Sequence, residues 1–238
     1  MNSSVTIIPI INLLIGFAPV AVLLAIMHAW SLNPWQAMYA NLRMLAQLLL
    51  IGYVLTLIFE AEQPWIVVGV VAFMIAMSAW IALRPLSDRG MMPYATVLVG
   101  IGVTGVAVLV LATQVILDLP TWYEPRFVVP LAGMVFANSM NTISIAGERY
   151  QTERGRGVGY PAARQAAMNA ALIPQINTLL AVGLVALPGM MTGQVLSGVD
   201  PLVAARYQIM VMCMIFSTAG LAAALYLVLR RLATERAA

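Results

Sequence analysis

The residues with the most chemistry to offer are amides, hydroxyls and thioethers set inside long apolar runs. Asn138, Ser139, Asn141, Thr142 and Ser144 cluster in one run, and Gln175, Asn177 and Thr178 cluster in another. An amide or hydroxyl surrounded by hydrocarbon is costly unless it meets a partner, so these positions mark either interhelical hydrogen bonds or the lining of a pathway. Asn138 and Asn141, three residues apart, share one helix face. Pro174, and then Pro188 with Gly189, interrupt the second run, and broken helices at membrane depth are tolerated only where protein or water covers them. The chain carries 16 Met, among them Met134, Met140, Met190, Met191, Met210, Met212 and Met214. Thioethers are soft ligands that favour Cu(I) over iron, and Met is equally an adaptable filler between helices. The candidate substrate path is therefore Asn138, Asn141, Asn177, Pro188, Gly189, Met190 and Met191.

Other chemistries are excluded. The 12 basic residues are all Arg, and a phosphate-binding loop of the form GxxxxGK[ST] requires a Lys, so any ATP must be hydrolysed by another subunit. No GxSxG turn is present, and a lone His28 with a lone Cys213 cannot build a Cys/His zinc site or a disulfide. No cofactor is expected. No catalytic residue is expected either, and the chain reads as a transporter subunit in place of an enzyme.

The elements that must position these residues are membrane helices. Of 238 residues, 62% are hydrophobic and 9% charged, with a mean hydropathy of +0.94, whereas a soluble domain carries about a quarter charged residues. The fold class is an all-α integral membrane protein, a single transmembrane domain over 1–238. Charge-free runs long enough to cross a bilayer lie at Val5–Met27, Pro64–Leu83, Pro93–Leu117, Phe127–Gly147, Leu172–Leu196 and Tyr207–Leu229. A seventh, Pro34–Phe59, carries Arg43 with Gln47 one turn on, and starts at the interface with Asn33 as its N-cap and Pro34 as its first residue. With about seven spans, Arg84, Arg89, Arg149, Arg154, Arg156, Arg164, Arg230, Arg231 and Arg236 fall on one side, against Arg126 and Arg206 on the other. The positive-inside rule then puts the N-terminus outside and the C-terminus in the cytoplasm. Glu60, Glu62, Asp118, Glu124 and Asp200 fall on the outer side, and no carboxylate sits in mid-span, which disfavours a proton-driven carrier. The net charge of +3 suits a membrane surface and implies no nucleic acid.

The longest polar stretch, Glu148–Arg164, is rich in Arg and Gly. It is either a solvated linker that fixes topology or a docking surface for a soluble partner. Gly155, Gly157, Gly159 and Pro161 disfavour helix before Ala162, leaving Ala162–Ile173 as the helical element that leads into the next span.

The run VGLVALPGMMTGQVLSG at Val182–Gly198, with Asp200-Pro201 and Arg206–Ile209, resembles the signature of the FetB-type permeases, membrane subunits of iron-exporting ABC transporters. Plant aluminium-tolerance permeases are similar. Ala171–Pro174 with Asn177, Pro130–Met134 with Asn138 and Met140, and Arg43 with Gln47 through Gly52–Leu55 match as well, so the resemblance covers most of the chain. It implies a permease of the cell inner membrane that dimerises around one path, pairs with a separate cytoplasmic ABC ATPase, and moves iron, another metal ion or a small solute; Ala162–Ile173 is then the helical element that would transmit motion, and Arg149, Arg154, Arg156 and Arg164 are the candidate ATPase-coupling residues. Plant relatives imply nucleotide-sugar movement as an alternative cargo. The residues themselves leave open a stand-alone carrier or channel and a purely structural role. The chain departs from the family in the loop at about 148–165, which is shorter and lacks a Gly-Ala-Thr-Pro stretch.

Topology reporters test the orientation. Fusions at Ala238 should report cytoplasm and fusions at Ser197 the outside; a cytoplasmic signal at Ser197 would refute the assignment of the preceding segment.

Overall fold

Long apolar runs opened by proline dominate the chain, and each sets a helix start. Pro fits the first turn because its missing N–H falls among donors that have no intrahelical partner. The structure, a computed structural model, describes residues 8–59 and 63–237. The helices are α1 (Ile10–Ile15), α2 (Ala18–Ala29), α3 (Pro34–Phe59), α4 (Pro64–Ala82), α5 (Met91–Val110), α6 (Pro125–Gly155), α7 (Tyr160–Ala181), α8 (Gly189–Leu196) and α9 (Pro201–Ala237). A π-helical turn at Leu111–Ile116 prolongs α5. The expected cap forms, with Asn33 Oδ1 accepting from the Trp35 N–H at 3.1 Å, and the structure adds a second, with Asp200 Oδ1 accepting from the Leu202 and Val203 N–H groups at 2.9 and 3.2 Å. Such caps contribute about 1 kcal/mol each.

Among the described residues, six helices are long and apolar enough to cross a membrane: Ile11–Ala29, Pro34–Thr56, Pro64–Ala82, Met91–Ile116, Pro125–Gly155 and Pro201–Ala233. The first overlaps the expected span Val5–Met27 from Ile11 to Met27; residues 5–7 lie outside the described residues, as do Glu60, Glu62 and Ala238. Two expectations are corrected. Leu172–Leu196 is not one helix: it comprises the second half of α7, a turn at 182–188, and α8. The break comes earlier than Pro188-Gly189 because Gly183, at φ +80°, takes the left-handed conformation that terminates a helix. Pro174 does not interrupt α7, and Pro188 serves as the N-cap of α8. Helix also occupies more of the Arg-rich stretch than its glycines imply. α6 runs to Gly155, closed by Gly157 at φ +81°, and α7 begins at Tyr160. Arg149 and Arg154 are thus helical, with only 156–159 between the two helices.

The chain divides into two compact units, residues 1–61 and 62–238. In the first, α2 packs against α3. In the second, α6 lies at the centre, packed against α4, α5, α7 and α9, while α9 also packs on α5, α7 and α8. Close approach depends on small residues, as expected where lipid supplies no hydrophobic drive between helices. A Cβ at Gly105 of α5 would sit 2.5 Å from Cε1 of Phe136, itself 1% exposed on α6. A Cβ at Gly147 of α6 would meet Leu86 at 2.9 Å and the Tyr226 hydroxyl at 3.0 Å. α7 and α9 run antiparallel in register: Tyr160 lies beneath Arg231 at 4.8 Å, Leu172 faces Gly220, and Ala181 shares a cavity with Gln208 and Met212.

Gly105→Ala should destabilise the unit by about 1–3 kcal/mol through overpacking against Phe136. Thermal unfolding in detergent would show a lowered midpoint, partly restored in the Gly105→Ala/Phe136→Leu double variant. An unshifted Gly105→Ala would refute the close α5–α6 contact.

Candidate functional site

The polar cluster of α6 solves its hydrogen bonding mostly within its own helix. Asn138 Nδ2 donates to the Met134 carbonyl at 2.8 Å, Ser139 Oγ to Val135 at 2.9 Å, and Thr142 Oγ1 to Asn138 at 2.9 Å. Each is an i to i−4 bond, which satisfies a donor without a neighbouring helix. Interhelical bonds are fewer. Ser144 Oγ lies 2.9 Å from the Ala82 carbonyl of α4 as well as 3.0 Å from Met140, and the buried Gln175 Nε2 of α7 donates to Thr142 Oγ1 at 3.1 Å. The Gln175–Thr142 bond pins α7 to α6 at the centre of the cluster.

That bond borders one of two cavities that adjoin at Asn138 and Thr178. One, of about 360 Å³, is lined by Asn138, Asn141, Thr142, Ser144, Gln175 and Thr178 together with Ile145 and Pro174. The other, of about 350 Å³, reaches from Asn138 and Thr178 to the break after α7 and to α9, where Met134, Pro188, Gly189, Met190, Gln208 and Met212 line it. Asn138 and Thr178 border both. The broken segment that walls the second cavity is internally bonded. The N–H groups of Leu184, Val185 and Ala186 converge on the Ala181 carbonyl at 2.8–3.2 Å, and Gly183 donates to Ala186 at 3.0 Å. Backbone amides that would be costly in hydrocarbon are thereby satisfied within the turn.

Of the seven path residues expected from sequence, Asn138, Asn141, Pro188, Gly189 and Met190 line these two cavities. Asn177, exposed on α7, and Met191, half-buried on α8, line neither. The structure adds Gln175, Thr178 and Gln208 as polar walls, with Met134 and Met212 beside them. Gln208 is 6% exposed and its Oε1 has no hydrogen-bond partner. A glutamine in the apolar run of α9 was the available signal for it.

The four candidate coupling residues sit together at the α6–α7 connection, each held by a local partner. Arg149 and Arg156 flank the buried Glu153 at 2.8 and 3.5 Å. Arg154 Nη1 donates to the Val158 carbonyl at 3.0 Å, and Arg164 lies over the Tyr160 ring at 5.4 Å. Arg230 of α9 reaches Asp88 of the α4–α5 turn at 3.1 Å. Arg154, Arg230 and Arg231 border one open groove of about 370 Å³ with Asp88, Tyr150 and Tyr160. The end of α4, the start of α5, the end of α6, the start of α7 and the end of α9 therefore meet in one Arg-rich cluster, while Arg126 and Arg206 lie near the opposite ends of α6 and α9. This is the charge segregation that the sequence implied for the second unit. Among the described residues no group of three or more His, Cys, Asp or Glu is placed to hold a metal.

Comparison with known proteins places this geometry in a family. The chain matches the UPF0014 family, described as an uncharacterised protein family, over residues 10–156 and 160–233. The match is interrupted at 157–159, in the loop between α6 and α7. It is 36% identical over 198 residues to the UPF0014 membrane protein slr1647 of Synechocystis, covering 77% of this chain and 76% of that protein. It is 32% identical over 214 residues to the probable iron export permease protein FetB of Escherichia coli, covering 82% and 80%. Similarity extends to plants, with 28% identity over 222 residues to the protein ALUMINUM SENSITIVE 3 of Arabidopsis thaliana, covering 85% and 79%. No solved structure matches. With six bilayer-length apolar helices and a family match running nearly end to end, the chain is a multi-pass α-helical membrane protein belonging to the UPF0014 family.

Proposed function

We propose that this protein is the permease subunit of an ATP-driven exporter in the cell inner membrane, and that its solute passes along the seam between α6 and the broken α7–α8 segment. The observation that carries this reading is the pair of adjoining cavities bordered by Asn138 and Thr178. They are walled by amides and hydroxyls and by a helix break, the arrangement used where a solute must be handled at membrane depth. The similarity to a protein named as a probable iron export permease supports a metal ion as cargo, with another small solute as the wider class.

Energy comes from a separate ATPase docked at the Arg-rich end. Arg149, Arg154, Arg156 and Arg164 stand at the α6–α7 connection, and both helices run from there to the cavities, so displacement at one end of these rods reaches the other. Two copies of the permease frame one path, and the exposed Arg side chains face an acidic groove on the ATPase.

Cysteine accessibility tests the path. In a Cys213→Ser background, Asn138→Cys and Thr178→Cys should react with small water-soluble thiol reagents. Protection of both, with labelling instead at Val71→Cys and Val106→Cys in the apolar pocket between α4 and α5, would overturn the assignment.

Charge reversal tests the drive. Arg154→Glu with Arg164→Glu should weaken co-purification with the cognate ATPase and abolish permease-stimulated ATP hydrolysis while elution and helicity stay unchanged. Undiminished stimulation would make the connection a linker and favour a chain that works without an ATPase.

A further inference from the structure

Three different helices each direct one methionine to the cavity at the α7–α8 break: Met134 from α6, Met190 from α8 and Met212 from α9. Met212 is 7% exposed, and the other two are half-buried. Two of them stand one helical turn from an amide that borders the same space. Met134 pairs in this way with Asn138, and Met212 with Gln208. No lining residue is Asp, Glu, His or Cys.

We propose that Met134, Met190 and Met212 form a coordination site for a soft monovalent cation, Cu(I), on the substrate path. This inference rests on the conduit described above and names the class of its cargo. Thioether sulfur selects Cu(I), whereas iron, manganese and zinc favour imidazole and carboxylate ligands that this cavity lacks. A monovalent ion held by neutral sulfurs leaves a net charge of only +1 in hydrocarbon, with amide dipoles beside it.

Two observations separate this from gap filling by flexible side chains. Met210 and Met214, neighbours of Met212 on α9, are buried in the packed core and border neither cavity, which is how filler methionines sit. The three cavity methionines instead border open volume, Met134 and Met190 with part of their surface also packed on the core. In addition, Gln208 Oε1 is a buried acceptor without a donor, a group that costs about 1–3 kcal/mol unless something electropositive approaches it. A bound cation in the same cavity supplies that partner.

The test is anaerobic Cu(I) titration of the purified full chain in detergent against a chromophoric Cu(I) chelator, in a Cys213→Ser background because the Cys213 thiol is exposed. One Cu(I) per chain with a sulfur-dominated X-ray absorption signature is expected, and Fe(II) in excess should not displace it. Met134→Leu, Met190→Leu and Met212→Leu preserve volume. Each should weaken Cu(I) by at least the roughly 10-fold that loss of even an outer-shell partner of a metal site costs. Met91→Leu and Met92→Leu, at exposed positions remote from the cavity, should leave it unchanged. Equal Cu(I) affinity in the triple Leu variant, or displacement by Fe(II), overturns the site. Labelling at Asn138→Cys and Thr178→Cys without Cu(I) binding overturns the soft-cation site alone. Cu(I) binding with both cysteines protected overturns the conduit, and with it the assignment of Cu(I) as cargo.

Discussion

In hydrocarbon no water is available to satisfy a backbone N–H or carbonyl, and nearly every feature of this protein follows from that constraint. It accounts for the helical build of the described residues, because a helix satisfies its own backbone. It accounts for the polar side chains of α6, whose hydroxyls and amide bond to carbonyls one turn back. It also governs the turn at 182–188, where the chain leaves the helix between α7 and α8. There the Ala181 carbonyl gathers three N–H groups in a tight turn, so the break brings little unsatisfied backbone with it. Leu184 and Val185, the most exposed large hydrophobic residues among those described, then present only apolar side chains outward.

The second determinant is close packing of helices through small residues. Glycines at 100, 105 and 147 let α5, α6 and α9 approach until backbone or ring atoms stand where a side chain would begin. Tight packing makes α6 and α9 rods that carry two kinds of surface. At one end they hold arginines and tyrosines around the groove shared with Asp88; further along they carry Asn138, Met134, Gln208 and Met212 into the cavities. Each ion pair at the Arg-rich end keeps one partner in solvent, Arg149, Arg156 or Asp88, opposite a largely buried Glu153 or Arg230, so screening leaves each with a modest share of the stability. Their arrangement therefore bears on what the end can bind more than on what holds the bundle together, and under the proposed function it suits a surface that must engage and release a partner.

Much of the architecture was legible from residue order. The helix starts at Pro34 and Pro64 carry their signal locally, since proline fits the first turn and Asn33 caps at short range, whereas α6 and α9 begin at Pro125 and Pro201, ahead of the expected Phe127 and Tyr207, because Arg126 and Arg206 interrupt the charge-free runs without interrupting the helices. The segregation of arginines was legible for the same reason, because it depends only on which span ends they flank. The site was legible in part. Asn138, Asn141, Pro188, Gly189 and Met190 stood out as polar, helix-breaking or thioether residues in apolar runs, and they line the cavities. Pro174 was expected to interrupt the helix and does not, while Gly183, to which the residue pattern assigned no role, ends it. A proline within a helix can be accommodated at the loss of one hydrogen bond, whereas a glycine in the left-handed region ends the helix outright.

By itself, then, the sequence determined that this is a membrane protein of many helices, where most of those helices begin, and which end of the second unit is cationic. All of these depend on composition or on neighbours within one turn. Only the tertiary structure decided that Gln175 meets Thr142, that Asn177 and Met191 face away from the cavities, and that Met134, Met190 and Met212 share one of them. Those outcomes depend on the rotation of one helix about its axis relative to another. That rotation is set by interdigitation of small and large side chains far apart in the chain, and no local pattern encodes it.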